Sequence, residues 1–156
     1  MRRRGLILAG LLILMLEFAV RSYSRLPEIP IDPATGVDAD ALVPPPVMST
    51  LRRACFDCHS DETRRPWYSE LPVASWLIER DVREGRGQLN FSRWTHYNGF
   101  DRADLLDKAC ERATQRDMPL WQYRFLHPEA RLTETEVAAL CAWSRSEAAR
   151  LVGAGS

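Results

Sequence analysis

Lysine is almost absent from this sequence. Lys108 is the only lysine, the other basic residues are arginines, and the 156 residues carry no net formal charge. No stretch of basic residues amounts to a nucleic-acid-binding patch, so we expect no DNA or RNA partner. No segment alternates apolar and polar residues with a period of two, which argues against a β-sheet. No motif requires a nucleophile, a general base or a substrate pocket, and we therefore expect a carrier rather than an enzyme.

The N-terminal segment has the pattern of an export signal. Arg2-Arg3-Arg4 forms a positive region, and an apolar run from Leu6 to Leu16 follows before Glu17 interrupts it. Counted from Gly5 to Val20, the run has 16 residues, just below the length that usually spans a bilayer. Neither an A-x-A cleavage site nor a lipoprotein cysteine follows. We therefore expect residues 1–21 to be an uncleaved single-pass anchor in a bacterial inner membrane, with the remainder facing the periplasm. The alternative is a cleaved signal peptide and a soluble periplasmic protein.

A proline-rich segment, residues 22–46, separates the N-terminal segment from the rest of the chain. It carries six prolines and no apolar periodicity, which predicts a semi-extended spacer. The alternative is an ordered strap wrapped on the folded part. We expect the folded domain itself to cover residues 47–152.

The most informative motif is C-x-x-C-H, formed by Cys55, Phe56, Asp57, Cys58 and His59. Behind an export signal, this spacing indicates a c-type haem attachment site. Residues i and i+3 share a helical face, so both thiols can reach the two vinyl groups of one porphyrin. The imidazole of His59 is then placed to bind the iron on the proximal side. The motif therefore predicts one covalently attached haem c, fitted by the c-type haem maturation machinery.

Two other chemistries use a C-x-x-C pair. A thioredoxin-like redox site requires alternating strands and helices, which this sequence lacks. A structural zinc site requires a second Cys or His pair at close spacing, whereas Cys110 and Cys141 stand 31 positions apart. A Cys-Cys-His zinc site stays open as an alternative. In an oxidising compartment Cys110 and Cys141 suggest a disulfide, with two buried thiols that never meet as the alternative.

The residues after the triple proline predict an all-α domain with long loops between short helices. We expect a first helix over residues 47–57. A second is expected from the N-cap Ser75 to about Glu84, where Gly85 and Gly87 stop it.

Two further helices follow in the second half of the domain. Asp101 begins the third helix, and Thr133 with Glu136 forms a capping-box signature for the last one. Both helices have an apolar face at helical spacing, so each is expected to pack on a core. The inward residues are Leu105, Leu106, Ala109, Cys110 and Ala113 on the third helix, and Val137, Leu140, Cys141, Ser144, Ala148 and Leu151 on the last.

The predicted loops hold most of the large aromatic side chains. Large rings in loops are hard to explain unless they cover a flat apolar surface. A porphyrin offers such a surface. The alternative is that these rings build the core of a helix-poor domain. In either case haem would help to stabilise a small domain. The residues are Trp67, Tyr68, Phe91, Trp94, Tyr97, Phe100, Trp121, Tyr123 and Phe125.

The sixth ligand of the iron can be argued by elimination if it is a thioether. Met1 and Met15 lie in the N-terminal segment, and Met48 lies about two helical turns ahead of the motif, on the proximal side. Met118 remains, and Pro119 stiffens the backbone after it. His96, His127 and an open coordination site stay as alternatives.

Four segments of the domain, in this order and spacing, resemble the haem-binding domain family of exported bacterial C-x-x-C-H proteins. The resemblance covers Val47 to about Arg145. The segments are residues 55–60, residues 66–77, residues 81–94, and Met118-Pro119 with Tyr123, His127-Pro128, residues 130–132 and Trp143.

This resemblance implies a single covalent haem c on a cytochrome-c-like helical scaffold. Cys55 and Cys58 would attach the haem, His59 would be the proximal ligand and Met118 the distal one. Cys110 and Cys141 depart from the family pattern as we know it.

The function predicted from these features is one-electron transfer by a periplasmic monohaem c-type cytochrome, with a redox partner that the sequence does not name. A haem-based sensor or small-ligand binder with a labile or open sixth site is the alternative. A peroxidase-like enzyme would need His96 or His127 as a distal base over the iron.

Overall fold

The computed structural model describes residues 2–24 and 29–153. Within these ranges the chain forms eight α-helices and three 3-10 helices, with no strand, which confirms the predicted all-α class. The α-helices are α1 (Arg2–Ser24), α2 (Val37–Asp40), α3 (Pro45–Ala54), α4 (Phe56–His59), α5 (Pro72–Gln88), α6 (Gly99–Thr114), α7 (Trp121–Leu126) and α8 (Glu134–Gly153). The 3-10 helices are Trp67–Glu70, Phe91–His96 and Pro128–Ala130.

The core lies where α3, α6 and α8 meet, because each of these helices carries an apolar stripe. Leu51 on α3, Leu106 on α6 and Leu140 on α8 are all buried in one cluster. A disulfide between Cys110 and Cys141 joins α6 to α8, so the predicted bond is confirmed. The rings of Phe91, Trp94 and Trp143 fill the same cluster.

The last helix begins as its capping box predicts. The Thr133 amide donates to Glu136 Oε2 at 2.8 Å, and the Glu136 amide donates to Thr133 Oγ1 at 3.2 Å. Each side chain thus satisfies an amide that the first turn of α8 leaves without a helical partner.

The second predicted helix is longer than expected at both ends. Helix α5 starts at Pro72 rather than Ser75, since proline is favoured in the first helical turn. It also continues through Gly85 and Gly87 to Gln88. Glycine weakens a helix without being obliged to end it, and here tertiary contacts maintain the helix.

Residues 35–43 of the proline-rich segment contact the folded domain, as the alternative of an ordered strap would require, while the predicted domain bounds stay a prediction. Val37 is only 1% exposed and belongs to the core cluster. The hydroxyl of Thr35 donates to the Ser92 carbonyl at 2.7 Å, and the Thr35 carbonyl accepts from the Thr95 amide at 3.1 Å. Residues 25–28 of the proline-rich segment lie outside the described residues.

The expectation of long aromatic-rich loops is wrong. Most of these rings lie on short helices, because single 3-10 turns and α7 satisfy the backbone where a loop was expected. The rings also divide into two groups. Phe91 and Trp94 are buried in the core, whereas Trp67 and Trp121 are more than two-thirds exposed.

The predicted single-pass membrane anchor is also wrong. No helix among the described residues is long and apolar enough to cross a membrane. Helix α1 has 23 residues, but arginines open it and Glu17 interrupts its apolar run. The apolar run of 16 residues reaches about 24 Å as a helix, short of the hydrocarbon thickness of about 30 Å.

Candidate functional site

The C-x-x-C-H motif forms a single helical turn at the end of α3. Cys55 closes α3, and the carbonyl of Cys55 accepts hydrogen bonds from the amides of Cys58 at 3.2 Å and His59 at 2.9 Å. The predicted helix over residues 47–57 therefore breaks at Cys55 and continues as the short α4. This turn brings the three residues of the motif that were predicted to bind haem to one place.

Both motif cysteines are free thiols, and both are partly buried. Burial, followed by the neighbouring Cys58, raises the pKa of Cys55 to about 12. Burial and the carboxylates of Asp81 and Asp57 raise the pKa of Cys58 to about 12. The two groups are thus held as neutral thiols, while the other two cysteines of the chain are joined as a disulfide.

The imidazole of His59 is oriented by a backbone carbonyl 30 residues away. Its Nδ1 lies 3.0 Å from the Leu89 carbonyl oxygen, which can only accept, so Nδ1 carries the proton. Burial lowers the pKa of His59, against the opposing effect of the Leu89 and Gly85 carbonyls. The neutral ring then leaves Nε2 with a free lone pair, as an iron ligand requires.

Asp57, between the two cysteines, is buried, and both of its carboxylate oxygens accept hydrogen bonds. It accepts from the Arg64 amide at 3.1 Å, from Arg64 Nε at 3.0 Å and from Arg64 Nη2 at 3.1 Å. The hydroxyl of Tyr123 on α7 donates to Asp57 Oδ2 at 2.6 Å. These bonds anchor the motif turn to α7.

Met118 lies in the turn between α6 and α7. Arg116 adopts a left-handed backbone conformation there, with φ 63°, and the Met118 amide donates to the Arg112 carbonyl at 3.3 Å. The Arg116 guanidinium donates to the Leu132 carbonyl at 3.2 Å and pairs with Glu134 at the start of α8. Met118 is 37% exposed. The turn is therefore held in place, and the role of its methionine as a ligand stays a prediction.

The two alternative histidines differ in their surroundings. His96 is exposed at the end of a 3-10 helix. His127 is partly buried, with Nε2 2.5 Å from the Tyr68 hydroxyl and Nδ1 3.0 Å from Glu129 Oε1. Both nitrogens of His127 are thus occupied by hydrogen-bond partners.

The sequence matches the haem-binding domain family over residues 13–146, most of the chain. This chain belongs to the haem-binding domain family. No curated protein and no solved structure that was compared matches it. The family membership confirms the resemblance found in the sequence and shows a haem-binding domain.

The surface of this haem-binding domain around the thiols suits a flat apolar ligand. Helix α5 packs on the motif turn and α7 is hydrogen-bonded to it through Tyr123, and both helices expose large apolar side chains. Exposed apolar groups in such numbers mark a binding surface. They are Trp76 and Leu77 on α5 and Trp121, Phe125 and Leu126 on α7. Together with two free thiols and an oriented imidazole, they fit a porphyrin.

The zinc alternative finds no support in the geometry. In the part of the chain that the structure describes, no group of three or more His, Cys, Asp or Glu side chains is placed to hold a metal ion. A haem iron needs no such group, because the porphyrin supplies four of its ligands.

Several residues that shape the haem-binding domain's site were not predicted from the sequence. The prediction that Gly85 stops a helix is wrong, and a glycine inside a helical pattern can instead mark a close packing contact. Asp57 does have a signal in the sequence, because a carboxylate inside the motif must find partners once it is buried. The carbonyl of Leu89 carries no sequence signal, since every residue has one.

Proposed function

We propose that this haem-binding domain is a c-type cytochrome that carries single electrons in the periplasm. Cys55 and Cys58 attach the haem, His59 is the proximal ligand and Met118 the distal one. The scaffold is of cytochrome-c-like type, and the chain acts as a carrier rather than as an enzyme.

The observation that carries the proposal is the hydrogen bond between His59 Nδ1 and the Leu89 carbonyl, beside two free thiols. This bond keeps the proton on Nδ1. It thereby leaves the lone pair of Nε2 free to bind iron. Cys55 and Cys58 would each supply a neutral thiol whose S–H adds across one vinyl group of the haem, a reaction that needs neither oxidant nor reductant. When bound, the haem supplies the change between ferric and ferrous iron.

The disulfide supports an oxidising compartment for the folded chain. Bonds of this kind persist in exported proteins and are rare in the cytosol. The pairing of Cys110 with Cys141 also leaves Cys55 and Cys58 as the thiols available for attachment.

The attachment test uses the full-length chain produced with the c-type maturation machinery. We expect a red protein whose haem stays with the polypeptide after denaturation and acid extraction, as mass spectrometry of the intact chain would show. Cys55→Ser and Cys58→Ser should each lose one attachment, whereas Cys110→Ala with Cys141→Ala should keep both. Haem that is extracted intact from the native chain would rule out the covalent c type.

A second candidate function, a sensor or small-ligand binder, is favoured by one observation. Met118 is more than a third exposed, in a turn rather than on a helix, and a thioether so placed can be displaced from iron. The optical spectrum separates the two functions. A sulfur-to-ferric-iron charge-transfer band together with slow CO binding supports the electron carrier. Loss of that band together with rapid CO binding to the ferrous protein supports the sensor.

A peroxidase-like function is less well supported. A distal base must keep one nitrogen free for peroxide, whereas both nitrogens of His127 have partners and His96 is exposed on a 3-10 helix. We expect peroxide turnover no faster than that of free haem, and His127→Gln should not change it.

A further inference from the structure

Tyr68, His127 and Glu129 form a continuous hydrogen-bonded chain. The Tyr68 hydroxyl lies 2.5 Å from His127 Nε2, and His127 Nδ1 lies 3.0 Å from Glu129 Oε1. The ring of Tyr123 stacks on the imidazole, with 4.4 Å between the ring centroids. The three groups come from a 3-10 helix, the C-cap of α7 and the next 3-10 helix, so the tertiary fold assembles them.

The donors and acceptors along this chain can be assigned. An ionised Glu129 carboxylate can only accept, so His127 Nδ1 carries a proton and donates it. In a neutral imidazole Nε2 is then an acceptor, and the phenolic O–H of Tyr68 donates to it. The Glu129 carboxylate on the far nitrogen holds the imidazole in this tautomer and orientation. The phenol of Tyr68 thus donates to the imidazole of His127, and the other nitrogen of that imidazole faces the carboxylate of Glu129.

Trp67 connects this chain to the surface. It is 81% exposed, and its ring meets the Tyr68 ring edge to face with 5.8 Å between centroids. A dissolved electron acceptor can therefore approach an indole that touches the phenol. Tyr68 itself is partly buried.

We propose that Tyr68 is a redox-active tyrosine whose one-electron oxidation is coupled to transfer of its phenolic proton to His127. The electron goes to an outer-sphere one-electron oxidant that collides with the Trp67 surface. The Tyr68 O–H bond breaks and an N–H bond forms at His127 Nε2. The products are a neutral tyrosyl radical and an imidazolium beside the Glu129 carboxylate. Return of one electron and the proton restores the phenol. This inference goes beyond the proposed function and does not depend on bound haem.

The neighbouring tyrosines lack this arrangement. The Tyr97 hydroxyl accepts a hydrogen bond from the Asn90 amide at 3.0 Å, and no imidazole among the described residues bonds to it. The Tyr123 hydroxyl donates to the carboxylate of Asp57, which Arg64 already holds with three hydrogen bonds. Burial, followed by the charge of Asp57, raises the pKa of Tyr68, so the phenol does not lose its proton before the electron leaves.

The test is flash photolysis of the full-length chain, in the ferric state if it holds haem, with photogenerated tris(bipyridine)ruthenium(III) as the oxidant. Transient absorption and freeze-quench EPR follow the tyrosyl radical. We expect a radical in the native chain, formed more slowly in D₂O than in H₂O. Tyr68→Phe should abolish this radical, and Tyr97→Phe, the matched control, should keep it.

The proton acceptor is tested by two variants. His127→Phe should slow radical formation by about a hundredfold, the contribution of a positioned base. Glu129→Gln alters an exposed side chain, so the fold is retained, and should slow it several-fold. A radical that survives Tyr68→Phe, or a native rate in Glu129→Gln together with no isotope effect, would overturn the proposal.

Discussion

Gly85 on α5 lies directly against the backbone of Cys58 on α4. A Cβ atom added to Gly85 would stand 2.6 Å from the Cys58 carbonyl oxygen and 3.1 Å from its carbonyl carbon. The obstacle is backbone, which cannot turn aside as a flexible side chain could. The motif turn can therefore pack on α5 only because residue 85 has no side chain, and the same packing brings His59 to the Leu89 carbonyl at the end of α5.

The first prediction concerns this contact. Gly85→Ala should lower the free energy of unfolding by about 1–3 kcal/mol, because the turn must shift to avoid the added methyl group. Haem incorporation should fall with it. Gly87→Ala is the matched control on the same helix, since a Cβ there meets nothing within 4 Å. It should stabilise the protein by about 0.5–1 kcal/mol through helix propensity. Urea unfolding and the haem content of purified protein measure both effects, and equal stability of the two variants would contradict the packing argument.

The second prediction is a pH dependence that comes from the two thiols. Their pKa values rise on folding from 9.0 to about 12, so the folded state holds the protons more tightly than the unfolded state. This contribution to stability is fully present below pH 9 and is lost as the pH rises toward 12. We expect the haem-free chain, kept without oxygen, to lose stability across this range. The Cys55→Ser, Cys58→Ser double variant should lose less.

The double variant is compared with the native chain by urea unfolding at a series of pH values. Tyr123, whose pKa is also raised by burial and by Asp57, contributes equally to both chains and cancels in the difference. Parallel stability curves for the two chains would show that the thiols are not buried as described.

The third prediction concerns the distal ligand. Met118→Ala should lower the reduction potential on the order of 0.1–0.3 V, within the range of about 0.8 V that axial ligands span. It should also open the ferrous protein to CO. Met48→Ala is the control, because Met48 lies on α3 and packs against the core. It should reduce stability while leaving the potential and the CO affinity unchanged. Potentiometry and CO titration decide between these outcomes. An unchanged potential in Met118→Ala would show that Met118 does not bind the iron.

The fourth prediction concerns the disulfide between α6 and α8. Replacing Cys110 and Cys141 with alanine should cost about 3 kcal/mol of unfolding free energy, since the cross-link restricts the unfolded chain. Reduction of the native protein with dithiothreitol should give a similar loss. Denaturant titration with and without the reductant measures it. A loss below 1 kcal/mol in both experiments would mean that packing alone holds the two helices together.

Predictions that depend only on residues close together in the sequence are correct. The capping box of Thr133 and Glu136 and the apolar faces of α6 and α8 follow from spacing within one or two turns. The C-x-x-C-H motif is recognisable for the same reason, since its three functional groups lie within five residues. Predictions failed where a longer-range contact decided the outcome. Gly85 continues a helix because α4 packs on it, and Phe91 lies on a buried 3-10 helix rather than a loop.

The sequence by itself determined the helical class and the family and indicated the residues that are proposed to hold haem, because helical periodicity and motif spacing are properties of adjacent residues. Only the tertiary structure decided how those residues are presented. Leu89 orients His59 from 30 positions away, Tyr123 reaches Asp57 across 66 positions, and Tyr68 meets His127 across 59. Such pairs depend on how the helices pack, and a backbone carbonyl or a partly buried phenol becomes specific only through its neighbours in space.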